Sequence, residues 1–227
     1  MGGSFNPFHL AHLRLALEVS ETLSLDVELI PSAQPPHKAA DYMLDFDLRC
    51  RLARTGLQSL PKLSLNQLES RRSGPSYTYD TVQIYMEKLP AAQLYFVIGA
   101  SDFMALPTWH RGKDLLAAIN FIIVPRDGIE FAAVDNFIKT ALDVDIRPVT
   151  VPDPAIGAAW RRRAGNAFLY LPITRLGISS SIIRQAWRLE RSLKGLVPEA
   201  VEQQLLQNRA LVDQTWKMRK LPCGNKI

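Results

Sequence analysis

The chain has 227 residues, 47% of them hydrophobic and 22% charged, which is ordinary for a globular protein with a core of its own. No apolar run approaches the ~20 residues of a membrane-spanning helix, and no signal peptide precedes the first motif. Two cysteines, Cys50 and Cys223, give neither a disulfide framework nor a metal-binding spacing. We therefore expect a cytoplasmic protein with no metal-ligand motif and no membrane partner.

The net charge of +5 raises the question of a nucleic-acid partner. Most of it lies in residues 214–227, which contain Lys217, Arg219, Lys220 and Lys226 and no acidic residue. The remainder of the chain is close to neutral, so a basic patch on its body is not indicated. We expect a solvated basic tail over 211–227 and no nucleic-acid binding.

Along the chain, short apolar runs alternate with segments of helical spacing. The predicted strands are 26–33, 93–100, 120–126, 146–151 and 167–174. The predicted helices are 12–23, 47–58, 78–89 and 113–119, followed after Gly177 by 178–192 and 198–207. This alternation predicts an α/β fold with a mainly parallel sheet and a C-terminal helical appendage. Residues 127–165 are poorly patterned, and 160–165 is interpreted as a surface insertion.

The first motif is the stretch GGSFNPFHLAH, residues 2–12. Its glycines permit a close approach of the backbone, and Asn6-Pro7 indicates a turn after which a helix begins near His9. Unpaired N–H groups at such a helix start form an anion site, and His9 and His12 lie on one face of its first turn. A nearby polyphosphate would favour their cationic forms. The alternative is a capped surface helix that carries two histidines.

A second motif, ISSSIIR, spans residues 178–184. Ser179, Ser180 and Ser181 precede an apolar-periodic helix, and Arg184 follows within one turn. Serine donors and a fixed cation at a helix start form a second anion cradle, although an ordinary N-cap gives the same pattern.

Together the two motifs resemble the nucleotidyltransferases of the HxGH and ISSTxxR type. Within that superfamily, PPHK (35–38), GPSYTYDT (74–81), IGASD (98–102) and LPTWHR (106–111) resemble bacterial nicotinate-nucleotide adenylyltransferases. The resemblance covers residue 2 to about residue 200. It implies a Rossmann-like, doubly wound domain over 1–177, a helical segment over 178–210 that completes the ATP site, and a basic tail over 211–227.

The resemblance also implies the reaction, in which ATP and nicotinate mononucleotide give deamido-NAD and pyrophosphate. The implied catalytic residues are His9, His12, Lys38 and Arg184. The implied ATP-binding residues are Gly2, Gly3, Ser4, Phe5, Ile178, Ser179, Ser180 and Ser181. For Lys38 the alternative is a solvated loop lysine. Mg²⁺ is expected to enter with ATP, because it prefers phosphate and water oxygens and needs no protein cage.

The chemistry of nicotinate mononucleotide favours Trp109, Thr78 and His110, and the resemblance adds Asp102. Its pyridinium ring is cationic and suits stacking on Trp109, and its carboxylate suits the hydroxyl of Thr78 and backbone N–H groups near His110. Asp102 is implied as a ribose or substrate contact. The alternatives are core packing for Trp109 and helix capping for Asp102.

The chain departs from the family pattern twice. Ala11 stands where HxGH has glycine, so that a methyl group narrows the approach of a phosphate. The family also has a short apolar strand directly before the glycines, where only Met1 stands here. We therefore expect that the first strand is missing, either because Met1 is internal to a longer reading frame or because the chain is truncated.

Two other functions remain open at this stage, and so does a homo-oligomeric state. Phosphopantetheine adenylyltransferases share the phosphate motifs but lack the PPHK, SYTxDT and LPTW set. A non-catalytic adenine-nucleotide binder would retain the cradle without the reaction. Formation of pyrophosphate and deamido-NAD separates the three.

Overall fold

A computed structural model of the chain describes residues 1–35, 42–142, 146–151, 153–163 and 165–217. The strands are β1 (Gly2–Gly3), β2 (Val27–Pro31), β3 (Leu63–Leu65), β4 (Tyr95–Gly99), β5 (Asn120–Val124), β6 (Ile146–Val149), β7 (Ala158–Arg162) and β8 (Ala167–Tyr170). The helices are α1 (Leu10–Leu23), α2 (Phe46–Gly56), α3 (Thr78–Lys88), α4 (Ala100–Ala105), α5 (Gly112–Ala118), α6 (Phe131–Thr140), α7 (Ser180–Arg188), α8 (Glu199–Gln207) and α9 (Arg209–Lys217). The 3-10 turns Leu68–Arg71 and Leu106–Thr108 precede α3 and α5.

The strands form two hydrogen-bonded sheets, β1–β2–β3 and β4–β5–β8–β7–β6. All pairs in the first sheet are parallel, as are β4–β5 and β5–β8, whereas β7 runs antiparallel to both β8 and β6. β1 lies beside β4, since a Cβ on Gly2 would stand 3.6 Å from Cε2 of Phe96. The predicted α/β fold with a mainly parallel sheet is confirmed.

The first strand was expected to be missing, but the two glycines themselves form a short strand, β1. Gly2 and Gly3 pair with Ile30 and Pro31 of β2, and the Ile30 N–H also donates to the carbonyl of Met1 at 2.9 Å. The pairing brings the residues after Gly3 to the carboxyl end of β2. Residues 2–7, called the glycine turn below, therefore lie at the sheet edge where ligands bind in α/β proteins.

The apolar core has two parts, one on each side of the sheet. On one side α1, α2 and the C-terminal helices pack together, and Val201 and Val212 are fully buried there. On the other side α4, α5 and α6 cover β4, β5 and β8 around Phe103 and Phe121. The C-terminal helices thus share the main core instead of forming a second one.

The predicted start of the basic tail at residue 211 falls inside α9. Trp216 is only 2% exposed, and it packs edge-to-face on Trp187, whose Nε1 donates to Oδ1 of Asp213 at 2.7 Å. Val212 and Trp216 are four residues apart and therefore share one face of the helix. Residues 211–217 thus belong to the packed helix, while 218–227 lie outside the described residues.

The interpretation of 160–165 as a surface insertion is wrong for its first part. Trp160 lies in β7 with 2% exposure, and its Nε1 donates to Oδ1 of Asp135 in α6 at 3.3 Å. Arg161 points outward, while Arg162 donates to the carbonyl of Leu116 at 3.1 Å. The alternation of a strand explains how a run of arginines can belong to the sheet.

In the described part of the chain, no helix combines the length and the apolar character needed to cross a lipid bilayer.

Gly112 supports the loop that carries Trp109. A Cβ on Gly112 would stand 1.7 Å from the carbonyl oxygen of Leu106, a backbone atom that cannot move aside alone. We predict that Gly112→Ala lowers the free energy of unfolding by about 3 kcal/mol, because the backbone must shift to accept the methyl group. Denaturant unfolding measures the change. Gly177→Ala is the control, since a Cβ there meets no atom within 4 Å. Equal stability of the two variants would contradict this prediction.

Candidate functional site

A cavity of about 620 Å³ opens at the carboxyl ends of β1, β4 and β5. Ser4 follows β1, Gly99 ends β4 and Arg126 lies two residues after β5, and all three line the cavity. The loop from β8 to α7 and the first turn of α7 close another side. The cavity is therefore built from the ends of several parallel strands, as expected for this fold.

Most of the predicted site residues meet in this cavity. Those that line it are Gly2, Gly3, Ser4, His9, His12, Asp102, Trp109, Ile178, Ser179, Ser180, Ser181 and Arg184. Among the described residues, three others are not part of its lining. The side chain of Phe5 is buried in the core, Thr78 begins α3, and the exposed His110 stacks on Tyr77 with ring centroids 4.1 Å apart. Lys38 lies outside the described residues.

Direct hydrogen bonds join the first turn of α7 to the glycine turn. Ser180 Oγ donates to the carbonyl of Pro7 at 3.1 Å, and Arg184 Nη1 donates to the carbonyl of Asn6 at 2.8 Å. Arg184 Nη2 also contacts Ser181 Oγ at 3.1 Å. Ser179 is the ordinary N-cap of this helix, since its Oγ accepts from the Ile182 N–H. The serine segment thus caps its helix and also binds the other motif.

The two histidines stack with ring centroids 3.6 Å apart. His9 is 4% exposed, and burial together with the nearby charge of Arg126 lowers the pKa of His9 to about 4. Its Nδ1 has no hydrogen-bond partner among the described residues. Two stacked imidazolium rings would repel each other. In the protein without nucleotide, burial therefore favours the neutral form of His9. The expectation that a nearby polyphosphate favours the cationic forms concerns the bound state and stays a prediction.

The start of α1 offers fewer free donors than expected. The Leu10 N–H donates to the carbonyl of Leu196 at 3.0 Å, and the His12 N–H donates back to the carbonyl of His9 at 3.0 Å. These N–H groups are therefore already used inside the protein. The side chains at this turn, rather than a row of unpaired backbone groups, give the site its donors.

The glycine turn is held by two buried polar side chains whose role the sequence did not reveal. Asn6 donates from Nδ2 to the carbonyl of Tyr42 at 2.9 Å, and its Oδ1 accepts from the Leu44 N–H at 3.1 Å. Arg49 donates from Nη1 to the carbonyl of Ser4 at 2.6 Å. The sequence indicated only a turn at Asn6, and Arg49 lies in no motif.

Two further side chains at the cavity were also missed. Arg184 lies over the ring of Tyr42, with Cζ 4.7 Å from the centroid, so that Tyr42 holds this cation in place. Arg126 lines the cavity with its stem over Gly99, where a Cβ would stand 2.5 Å from Arg126 Cδ. Its position at the end of the predicted strand 120–126 was the signal that could have identified Arg126.

The alternatives for Asp102 and Trp109 can now be compared with the structure. Gly99 is the N-cap residue of α4, and no side chain caps that helix, so Asp102 lies in the first turn without capping it. Trp109 is half-buried, packs against the core and also lines the cavity. Packing and ligand contact are therefore compatible for Trp109.

The described residues contain no cluster of three or more His, Cys, Asp or Glu side chains that could hold a metal ion. Asp102 and Asp127 are the carboxylates that line the cavity within the described residues. This donor set fits a metal ion that arrives on the phosphates of a nucleotide, because such an ion keeps phosphate and water ligands.

The chain matches known proteins over nearly its full length. The family model described as cytidylyltransferase-like matches residues 1–186. The curated protein from Geobacter metallireducens named "Probable nicotinate-nucleotide adenylyltransferase" is 36% identical, with 92% of this chain and 95% of that protein covered. A protein of the same name from Pelobacter propionicus is 38% identical at the same coverage. The chain belongs to the nicotinate-nucleotide adenylyltransferase family.

The solved structures agree with this family at the level of the fold. Nicotinic acid mononucleotide adenylyltransferase of Plasmodium falciparum, solved in complex with NaAD, superposes with a TM-score of 0.68 at 20% identity, covering 92% of this chain and 94% of that one. The same enzyme in complex with APC gives a TM-score of 0.64 at 18% identity. Family members therefore share the arrangement of strands and helices described above.

The depressed pKa of His9 makes a prediction for stability. The folded protein holds fewer protons on His9 than the unfolded chain, whose histidine titrates near its usual value of 6.5. The free energy of unfolding should therefore fall as the pH is lowered from 6.5 toward 4, and His9→Asn should flatten this fall. Denaturant unfolding across that range measures it, with His110→Gln as the exposed control. If His9→Asn and the wild type show the same pH slope, His9 is not buried in its neutral form.

Proposed function

We propose that the chain transfers the adenylyl group of ATP to nicotinate mononucleotide, releasing pyrophosphate and forming deamido-NAD for NAD biosynthesis. The observation that carries this proposal is the pair of hydrogen bonds from Ser180 and Arg184 to the glycine turn, which unites two anion-binding motifs in one cavity. The curated relatives with 36% and 38% identity bear the name of this activity.

The reaction needs alignment and charge stabilisation more than it needs a nucleophile from the protein. An oxygen of the mononucleotide phosphate attacks the α-phosphorus of ATP, the bond from that phosphorus to the bridging oxygen breaks, and pyrophosphate leaves with the electron pair. In the proposal, His12 and Arg184 donate to the phosphate oxygens on which negative charge grows. Lys38 and His9 complete the set, with His9 as a neutral donor until a phosphate is near.

The nicotinate end of the substrate is proposed to lie against Trp109. The cationic pyridinium ring would stack on the indole, with Asp102 contacting the ribose or substrate. Tyr77 stacks on His110, and this contact joins the start of α3, where Thr78 lies, to the loop of Trp109. In the proposal, Thr78 and backbone N–H groups near His110 donate to the carboxylate, although neither residue is part of the cavity lining.

The ATP end of the cavity is proposed to consist of Gly2, Gly3, Ser4, Phe5 and the serine segment. Phe5 would take part through its backbone, because its side chain is in the core. Nucleotidyltransferases of this kind generally use a divalent metal ion. We propose Mg²⁺ held on the ATP phosphates, where it would neutralise charge on pyrophosphate as it leaves. The proposal also includes a cytoplasmic location.

A coupled assay with ATP, Mg²⁺ and nicotinate mononucleotide tests the function. We expect pyrophosphate and deamido-NAD in equal amounts, and a higher kcat/KM with nicotinate mononucleotide than with nicotinamide mononucleotide. ATP binding without pyrophosphate release would indicate a non-catalytic binder instead. Turnover with phosphopantetheine in place of the mononucleotide would indicate the other adenylyltransferase.

His12 offers the sharpest test of the proposed catalytic residues. We predict that His12→Ala lowers kcat by roughly 10²–10³-fold, the usual loss when one donor to the transition state is removed. Steady-state kinetics measures the change, and Glu21→Ala, an exposed position on the same helix, is the control. A raised KM with kcat unchanged would show that His12 serves binding alone.

A further inference from the structure

Arg49 is a buried arginine that the proposed mechanism does not use. It lies in the first half of α2 and is 1% exposed, whereas Arg51, two residues further along the same helix, is exposed. Long cationic side chains are rarely buried unless something compensates their charge. The contacts of Arg49 therefore need an explanation.

The guanidinium of Arg49 is held by neutral groups. Nη1 donates to the carbonyl of Ser4 at 2.6 Å, Nε donates to the carbonyl of Leu44 at 3.0 Å, and Cζ lies 5.4 Å from the ring centroid of Phe46. Among the described residues, Arg49 forms no ion pair with an acid within 4.0 Å. Burial lowers the pKa of Arg49, while Cys50, Asp45 and the buried Glu69 act in the opposite sense from a distance. Within the described part of the chain, the acids that act on this buried charge thus lie beyond ion-pair distance, which is costly to stability.

The location of the Arg49 guanidinium suggests which negative charge it could balance. Ser4 lines the cavity, and its carbonyl is the group that Arg49 holds from behind. Leu44, the second partner, donates its N–H to Asn6, which also lines the cavity. Arg49 therefore lies directly behind the wall of the glycine turn, on the side away from the ligand. An anion on the other side of that wall would feel a charge that water screens poorly.

We propose that Arg49 is a positioning residue that fixes the glycine turn and supplies, from behind it, a positive charge whose counter-ion is the polyphosphate of the bound nucleotide. This inference rests on the proposed function, since it assumes that a polyphosphate occupies the cavity. It adds a buried cation to the exposed ones that the motifs had indicated. It also gives a reason why a residue outside every motif is buried with its described acidic neighbours beyond ion-pair distance.

Binding of inorganic pyrophosphate to the full chain tests the inference, measured by calorimetry. Three variants are compared with the wild type. Arg49→Met removes the buried charge and keeps the volume, Arg49→Lys keeps the charge and loses the planar fork, and Arg51→Met removes a charge from the exposed side of the same helix. Arg49→Gln replaces Arg49→Met if the latter does not fold, as judged by circular dichroism.

We expect Arg49→Met to weaken pyrophosphate binding on the order of tenfold, Arg49→Lys to weaken it by less than about threefold, and Arg51→Met to leave it nearly unchanged. Raising the salt from about 0.05 M to about 0.5 M should remove any small effect at Arg51 while preserving most of the effect at Arg49, because a buried charge is screened less. A role confined to stability would lower the melting temperature without this dependence on charge.

Two outcomes would overturn the inference. In the first, Arg49→Met binds pyrophosphate as the wild type does. In the second, Arg49→Met and Arg49→Lys lose equal affinity for pyrophosphate, which would mean that the hydrogen-bond geometry of Arg49 and not its charge determines binding. Either result leaves the proposed function intact if the wild type still forms deamido-NAD. Failure of the wild type to bind pyrophosphate would instead overturn the proposed function, and the inference with it.

Discussion

The hydrogen bonds from α7 to the carbonyls of Asn6 and Pro7 connect parts of the chain that are 178 and 173 residues apart. They bring two short motifs, each ordinary alone, side by side in the lining of one cavity. The C-terminal helices pack in one core with α1 and α2, and this packing helps to hold the start of α7 beside the glycine turn. The shared core on that side of the sheet is therefore a condition of the site as well as of stability.

The charge of the cavity follows from the same arrangement. Arg126, Arg175 and Arg184 line it, and the carboxylates among its described lining residues are Asp102 and Asp127. Asp127 already accepts from the Ser101 hydroxyl at 2.6 Å. Glu130, at the start of α6, forms an ion pair with Arg175 at 2.8 Å and so reduces the positive charge on that side of the cavity. The balance favours an anionic ligand, whereas the chain outside its last residues is nearly neutral. The arginines that line the cavity, and not the net charge of the chain, therefore favour an anionic substrate.

The sequence predicted the alternation of strands and helices, because it depends on local patterns. The meeting of the two motifs, whose hydrogen-bonded residues lie 173 and 178 positions apart, was implied by the resemblance to the nucleotidyltransferases. The sequence did not predict α6 and β7, because β7 pairs antiparallel and its arginines obscure the alternation around Trp160. It also missed Arg49, whose burial depends on where the glycine turn folds against α2. The lowered pKa of His9 was equally beyond the pattern, because the burial of its ring cannot be read from spacing.

The four tryptophans are distributed unequally between core and cavity. Trp160, Trp187 and Trp216 are at most 8% exposed, and Trp109 alone lines the cavity. An aqueous collisional quencher such as iodide should therefore reach Trp109 far more easily than the other three. The protein thus contains an intrinsic optical reporter of site occupancy, whose emission can be followed without any added label.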